Sequence, residues 1–217
     1  MRFFSCKFGK TFHTKQNNRK MKTGNLALIV IIALILILAG CGCGKYNSFT
    51  QGNISVQNAW SNVETNYQRR TDLYNSVIKT IEGSANFEKS TLKEVIDARA
   101  QATSVKVDVN DSTSMAKFQQ AQAQLQGSFS RLMAVSESYP DLKTTKSFQD
   151  FQTQIEGTEN RINVARRDYN TAVSAYNLQV QQFPGNIFAG LFHFQPKAFY
   201  KADAGSEKAP DINFNIK

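Results

Sequence analysis

The sequence predicts an all-α fold, a long antiparallel up-down bundle of four helices behind an N-terminal membrane anchor, and three observations predict it. Beyond Tyr46, apolar residues recur at intervals of 3 and 4 over long stretches with almost no strand alternation. Gly83, Pro140 and Pro184 punctuate that pattern where helices should stop. Ahead of it lies the uncharged run Leu26–Ala39, with a cluster of basic residues only on its N-terminal side.

The 217 residues divide into a basic leader (1–25), an apolar anchor (26–44), a helical domain (45–199) and a polar tail (200–217). Within the leader, Met21-Lys22-Thr23-Gly24-Asn25 makes a complete basic flank by itself, so Met21 is read as the true start and residues 1–20 as untranslated. The net charge of +9 belongs to this end of the chain. Arg2, Lys7, Lys10, Lys15, Arg19, Lys20 and Lys22 stand without an acid, leaving 19 basic against 17 acidic side chains from residue 45 onward. A domain so close to neutral carries no one-sign field to condense on phosphate, which argues against nucleic acid as a partner. Cys6, Cys41 and Cys43 all precede the domain, so no disulfide staples it.

The 14 residues Leu26–Ala39 span about 21 Å as helix, short of the roughly 30 Å hydrocarbon core. That length suits the apolar region of a signal peptide; extended through Cys43 it suits a short single-pass span. Leu38-Ala39-Gly40-Cys41 has the form of a bacterial lipobox, in which small residues admit a peptidase and the Cys41 thiol accepts a lipid. Attachment is thus either a lipid on Cys41 or a membrane-crossing helix. Both place the domain outside the cytoplasm in the bacterial cell envelope, because the basic flank holds the N-terminus inside.

Helix 1 is predicted from about Ser48 to Glu82, with seam residues Val56, Trp60, Val63, Tyr67, Arg70, Tyr74, Val77 and Ile81 at coiled-coil spacing. Helix 2 covers about Phe87 to Ser104, with Leu92, Val95, Ile96 and Ala102 facing in. The segment Val105–Thr113 alternates briefly, but Asn110-Asp111-Ser112 favours a loop and an N-cap. Helix 3, about Ser114 to Ser138, presents Met115, Phe118, Leu125, Phe129, Leu132, Val135 and Tyr139, and Pro140 ends it. Helix 4 runs from about Thr144 to Phe183 on Phe148, Phe151, Ile155, Thr158, Ile162, Ala165, Tyr169, Val173, Tyr176 and Val180. Short links between such helices favour antiparallel neighbours and a rod-like bundle. The apolar segment after Pro184 either caps the bundle or dips Ile187, Phe188, Leu191 and Phe192 into a membrane interface; its lack of basic residues favours capping.

Chemistry-bearing motifs are sparse. His13 lies in the leader and His193 is the domain's one histidine, so a histidine triad or metal cluster does not assemble. There is no Gly-rich phosphate loop, and no cofactor or small-molecule substrate is implied. Arg70 stands out because a guanidinium on a helix seam is costly unless an acid is buried with it. With helices 1 and 4 antiparallel and Ser48 level with Gln182, Arg70 falls near Glu159 and Asn160, and Glu64 near Arg166. This predicts a polar clamp setting register; the competing reading has Arg70 reaching out to solvent.

The chain resembles the LemA family, a set of bacterial membrane-associated proteins, from about Tyr46 to Phe199. The blocks that carry the resemblance are Ala59-Trp60-Ser61-Asn62-Val63, Gln68-Arg69-Arg70-Thr71-Asp72-Leu73, Glu94-Val95-Ile96-Asp97-Ala98-Arg99, Glu137-Ser138-Tyr139-Pro140-Asp141-Leu142-Lys143, Glu156-Gly157-Thr158-Glu159-Asn160-Arg161-Ile162, Ala165-Arg166-Arg167-Asp168-Tyr169-Asn170, Tyr176-Asn177 and Phe183-Pro184. Where the family pattern continues with Ile-Pro-Asn-Leu, this chain has Tyr74-Asn75-Ser76-Val77 and lacks the proline. The resemblance implies an antiparallel helical bundle behind one anchor and brings no catalytic site. The expected function is non-enzymatic: a membrane-tethered rod presenting helical surface, including the Gln-rich face Gln119–Gln126, to a protein partner or to the membrane. The alternative expectation is a hydrolase or lipid-modifying enzyme using bundle carboxylates.

Overall fold

The computed structural model describes residues 23–82 and 88–201. The leader up to residue 22, Met21, Gly83, the expected helix start at Phe87 and the tail from Ala202 lie outside the described residues. Among the described residues the chain is all-helical and contains no strand, the Val105–Thr113 segment included. It divides into two compact units, Met1–Cys43 and Gly44–Lys217.

Helix α1 spans Thr23–Glu82, so it begins well before the expected Ser48. Glycines at 40, 42 and 44 do not interrupt it. Each costs a helix about 1 kcal/mol relative to alanine, far less than proline's roughly 3 kcal/mol, and strong helix-compatible runs flank them. In the first unit, Leu28, Ile29, Val30, Ile31, Ile32, Ile35 and Leu36 are all exposed, Leu36 to 66%. Among the described residues no helix is long and apolar enough to cross a membrane. The side chains of Leu26, Ala27, Leu34, Ile37, Leu38 and Ala39 lie outside the described residues.

In the second unit, α2 (Lys89–Ser104) turns back through a short loop onto α3 (Ser112–Ser136). The loop ends in an N-cap, where the Asp111 carboxylate accepts from the backbone N–H of Thr113 at 2.8 Å and Ser114 at 3.1 Å. Those amides, Thr113's foremost, hold the Asp111 carboxyl below its ordinary range. Pro140 does not simply stop α3. It is the first residue of a four-residue turn of helix, α4 (Pro140–Lys143), where its missing N–H is no loss. Helix α5 covers Lys146–Gln181, and after Pro184 the short helix α6 covers Gly185–Leu191.

All eight seam residues predicted for helix 1, Val56 to Ile81, are buried. Ile96 is not; it is exposed on α2 while Ala98 faces inward, because Val95, Ala98 and Ala102 make the closer helical stripe. The apolar core forms two clusters. One holds Phe49, Val56, Trp60, Val63, Tyr67, Met115, Phe118, Ile162, Tyr169 and Tyr176, with the Trp60 ring edge-on to Phe118 and Tyr169 at 5.5 and 5.2 Å. The other holds Tyr74, Ile81, Val95, Leu125, Phe129, Leu132, Phe148 and Phe151, with Tyr74 stacked on Phe129 at 3.7 Å. Between them along the helices come the buried polar residues Arg70, Thr71, Gln122 and Thr158.

Contacts between α1 and α5 advance in opposite chain directions. Ser48 Oγ donates to Gln179 Oε1 at 3.1 Å, Trp60 meets Tyr169, and Arg70 meets Glu159. Near Gly52 the two helices come so close that a Cβ there would lie 3.1 Å from the Tyr176 ring.

Candidate functional site

The buried polar layer is the most chemically loaded place in the domain. Arg70 is completely buried. Its Nη1 donates to Glu159 Oε1 at 3.3 Å, and its Nη2 donates to the Gln122 side-chain oxygen and, at 3.4 Å, to the Gln122 carbonyl. The guanidinium lies 4.8 Å from the Tyr67 ring centre and 5.8 Å from that of Tyr74, in cation–π range. Its Nε has no hydrogen-bond partner among the described residues. Burial pushes the Tyr74 hydroxyl up to about 12; the Arg70 charge opposes this and the Glu159 charge adds to it.

The structure therefore brings Arg70 and Glu159 together, with Gln122 as a third member. It does not bring Glu64 to Arg166. Glu64 is exposed beside Gln68, Thr103 and Gln122, whereas Arg166 donates from Nε to the Tyr67 hydroxyl at 2.9 Å and covers the Tyr200 ring at 4.5 Å. Tyr67, one turn on from Glu64, takes the Arg166 guanidinium, while Glu64 borders the depression lined by Thr103 and Gln122. Gln122 was expected on an exposed Gln-rich face. Gln120, Gln124 and Gln126 are exposed, but Gln122 is buried because it follows Phe118 by four residues on the inward stripe.

Sequence reasoning also placed Tyr200 in a polar tail. It is buried in the first cluster, and its hydroxyl lies 2.7 Å from that of Tyr67. An extended strap leads to it, fastened by paired hydrogen bonds from two asparagines of α5. Asn177 takes the Lys197 N–H at 2.7 Å and donates to the Lys197 carbonyl at 2.9 Å. Asn170 does the same for Tyr200, at 2.9 and 2.8 Å. Between these rungs the Ala198 carbonyl accepts from the Tyr169 hydroxyl at 2.8 Å, and the Ala198 N–H donates to the Val109 carbonyl. Burial lowers the Lys197 ammonium from its ordinary range, against the pull of Asp108; its Nζ donates to Asn110 at 2.7 Å.

The apolar segment after Pro184 divides its faces. Gly185 and Ala189 are buried, and Phe188 and Phe194 pack on the first cluster. Phe192 and Phe194 meet the Tyr46 ring edge-on at 5.3 and 5.6 Å. On the outer face Ile187 and Leu191 are 60% and 67% exposed, and Phe183, just before Pro184, is 81% exposed. Cys41 and Cys43 are exposed free thiols. Among the described residues no group of three His, Cys, Asp or Glu side chains could hold a metal ion. Four surface depressions line described residues, and none of these four carries two carboxylates.

These features define an all-helical protein whose core is divided by a buried arginine layer and closed by an extended strap. The chain belongs to the LemA family, whose pattern matches residues 59–214. It is similar to Protein LemA of Metamycoplasma hominis, 26% identical over 159 residues that cover 73% of this chain and 70% of the relative. It is also similar to Magnetosome protein MamQ 2 of Paramagnetospirillum magneticum, 24% identical over 176 residues, and to Magnetosome protein MamQ of Magnetospirillum gryphiswaldense, 22% identical over 181 residues. The two matches cover 72% and 74% of this chain, and the chain spans 65% and 66% of the respective relatives.

Proposed function

We propose that this chain is a non-enzymatic, membrane-tethered member of the LemA family. Its long helices form an up-down bundle outside the cytoplasm that offers contact surface to a protein partner or to the membrane. The observation that carries this reading is the state of the apolar run. Leu28, Ile29, Val30, Ile31, Ile32, Ile35 and Leu36 expose large aliphatic side chains all round a helix, an arrangement stable only in an apolar surrounding. The bilayer supplies it, through a short span or with a lipid on Cys41. The outer face of α6 supports the same end as membrane-facing. Ile187 and Leu191 lie on α6, whose following residue Phe192 meets the Tyr46 ring edge-on.

Fractionation and intact-mass measurement of wild type and Cys41→Ala test the tether. Loss of a lipid-sized mass together with release from the membrane establishes the lipoprotein form, whereas unchanged mass and retention establish the span. Recovery of the wild-type chain in the soluble fraction refutes both. Cross-linking in native membranes followed by mass spectrometry tests the contact role, and absence of any cross-link to protein or lipid refutes it.

A further inference from the structure

The end of the second unit where α1 enters it and α5 gives way to α6 is built on two stretches without charge. From Tyr46 to Val63 on α1, and from Tyr169 along α5 and α6 to Pro196, the chain has no Lys, Arg, Asp or Glu. The stretches lie against each other: Ser48 bonds to Gln179, Trp60 meets Tyr169, and Tyr46 meets Phe192 and Phe194 edge-on. Charge returns only at their borders, in Lys45, Glu64, Asp168 and Lys197, and the Lys197 ammonium is held by Asn110 of the α2–α3 loop.

At this end Ile187 and Leu191, one turn apart on α6, and Phe183 just before it all stand exposed, while Gly185 and Ala189 take the inner face. A lone exposed apolar side chain is ordinary, but three large ones on one short stretch mark a contact surface. A protein partner covers one side of a domain and needs charge removed only there. Here charge is missing from α1, α5 and α6 alike, the pattern that a low-dielectric surrounding imposes, because an ion carried into it is costly. The half-exposed Tyr46 ring, apolar in body and polar at its tip, has the form that settles at a bilayer surface. We propose that this end is seated in the lipid interface, with Phe183, Ile187 and Leu191 entering the boundary between headgroups and acyl chains, and that the contact does not depend on headgroup charge. The inference rests on the membrane-tethered reading above, under which the chain enters this unit, at Gly44, from the bilayer. It gives the domain a second attachment, made by its own fold.

The test is fluorescence quenching of the purified full-length chain in phosphatidylcholine vesicles whose acyl chains are brominated, against plain vesicles. Trp60, the chain's one tryptophan, is buried in the core and gives the wild-type background. Leu191→Trp reports the proposed face, and Ile96→Trp reports an exposed position on α2; both replace exposed side chains, and unchanged helical ellipticity verifies the fold. The expected result is emission from Leu191→Trp quenched at least about twofold more than wild type, with Ile96→Trp at the wild-type level. Anionic lipid or high salt should leave that quenching unchanged. If the chain floats with the vesicles but Leu191→Trp is quenched no more than wild type, the proposal is overturned and the tether stands. Blue-shifted emission in that case would assign the face to a second copy. Quenching that requires anionic lipid overturns the claim of charge independence. Recovery of the chain apart from the vesicles refutes the tethered reading as well, so flotation separates the two failures.

Discussion

Removing the carboxylate at Glu159 while leaving Arg70 in place is the sharpest perturbation of the buried layer. The pair is separated by 3.3 Å, and the Glu159 side chain is 29% exposed while that of Arg70 is wholly buried. Coulomb's law gives roughly 5 kcal/mol at an effective dielectric of 20 and about 1.3 kcal/mol in bulk water at this distance. Partial exposure of Glu159 places the pair between these limits. Glu159→Gln keeps the shape and a neutral acceptor, so the expected loss is about 2 kcal/mol, below the 3–5 kcal/mol typical of a fully enclosed pair. Arg70→Met behaves differently, because it removes the desolvated guanidinium and its unpartnered Nε while retaining much of the apolar stem's packing between Tyr67 and Tyr74. Glu159 can then turn toward solvent. Arg70→Met should therefore cost less than Glu159→Gln, and the double variant should match Arg70→Met within about 0.5 kcal/mol. Urea unfolding followed by Trp60 fluorescence and helical ellipticity measures all four corners of the cycle. A Glu159→Gln variant as stable as wild type, or an Arg70→Met variant less stable than Glu159→Gln, refutes the argument that Glu159 compensates a buried charge.

Two further outcomes follow from the core and its closure. The Tyr74 hydroxyl is raised to about 12 chiefly by burial, so the folded chain keeps a proton that the unfolded chain releases above about pH 10. Stability from this group is full below pH 10 and is lost as pH rises toward 12, by about 2–3 kcal/mol; urea midpoints across that window should fall less steeply for Tyr74→Phe, though Tyr169, also raised by burial, retains part of the slope. Gly185→Ala would drive a Cβ into the Gln179 carbonyl at the junction of α5 and α6, costing about 1–3 kcal/mol and loosening α6, which thermal unfolding and proteolysis near Phe183 would both report.

How far the chain could be read beforehand depended on whether a residue's role repeats along a helix. The seam from Val56 to Ile81 was legible in full, Arg70 included, because burial on a helix follows a period that the sequence displays directly. The Arg70–Glu159 proximity followed from the same period once α1 and α5 were set in opposite directions. Gln122 escaped because a glutamine-rich run looks uniformly solvated, and only its four-residue offset from Phe118 marks it as inward. Glu64 was misassigned because a register sum fixes height along a helix but not the side from which a residue projects. The strap escaped for a different reason. Extended backbone held by side-chain amides has no periodicity of its own, and its only trace is on the partner helix, where Asn170 and Asn177 fall seven apart.

That same period explains why an arginine sits in the core at all. Two apolar seams with a seven-residue repeat match nearly as well after one slips by a heptad, so hydrophobic burial alone discriminates poorly between registers. A polar layer with one matching partner height would remove this degeneracy. In the observed register Arg70 meets Glu159 and Gln122, while a slip of seven on α5 would set it opposite Gln152 or Arg166. The first leaves a buried guanidinium with no acid, and the second adds like-charge repulsion, so each wrong register carries a penalty that the correct one avoids. On this argument Arg70→Met would soften the choice of register even where it leaves stability nearly unchanged. Paired cysteines placed to cross-link at the Ser48–Gln179 level would then form in higher yield in wild type than in Arg70→Met, and equal yields would show that the apolar seams set register unaided.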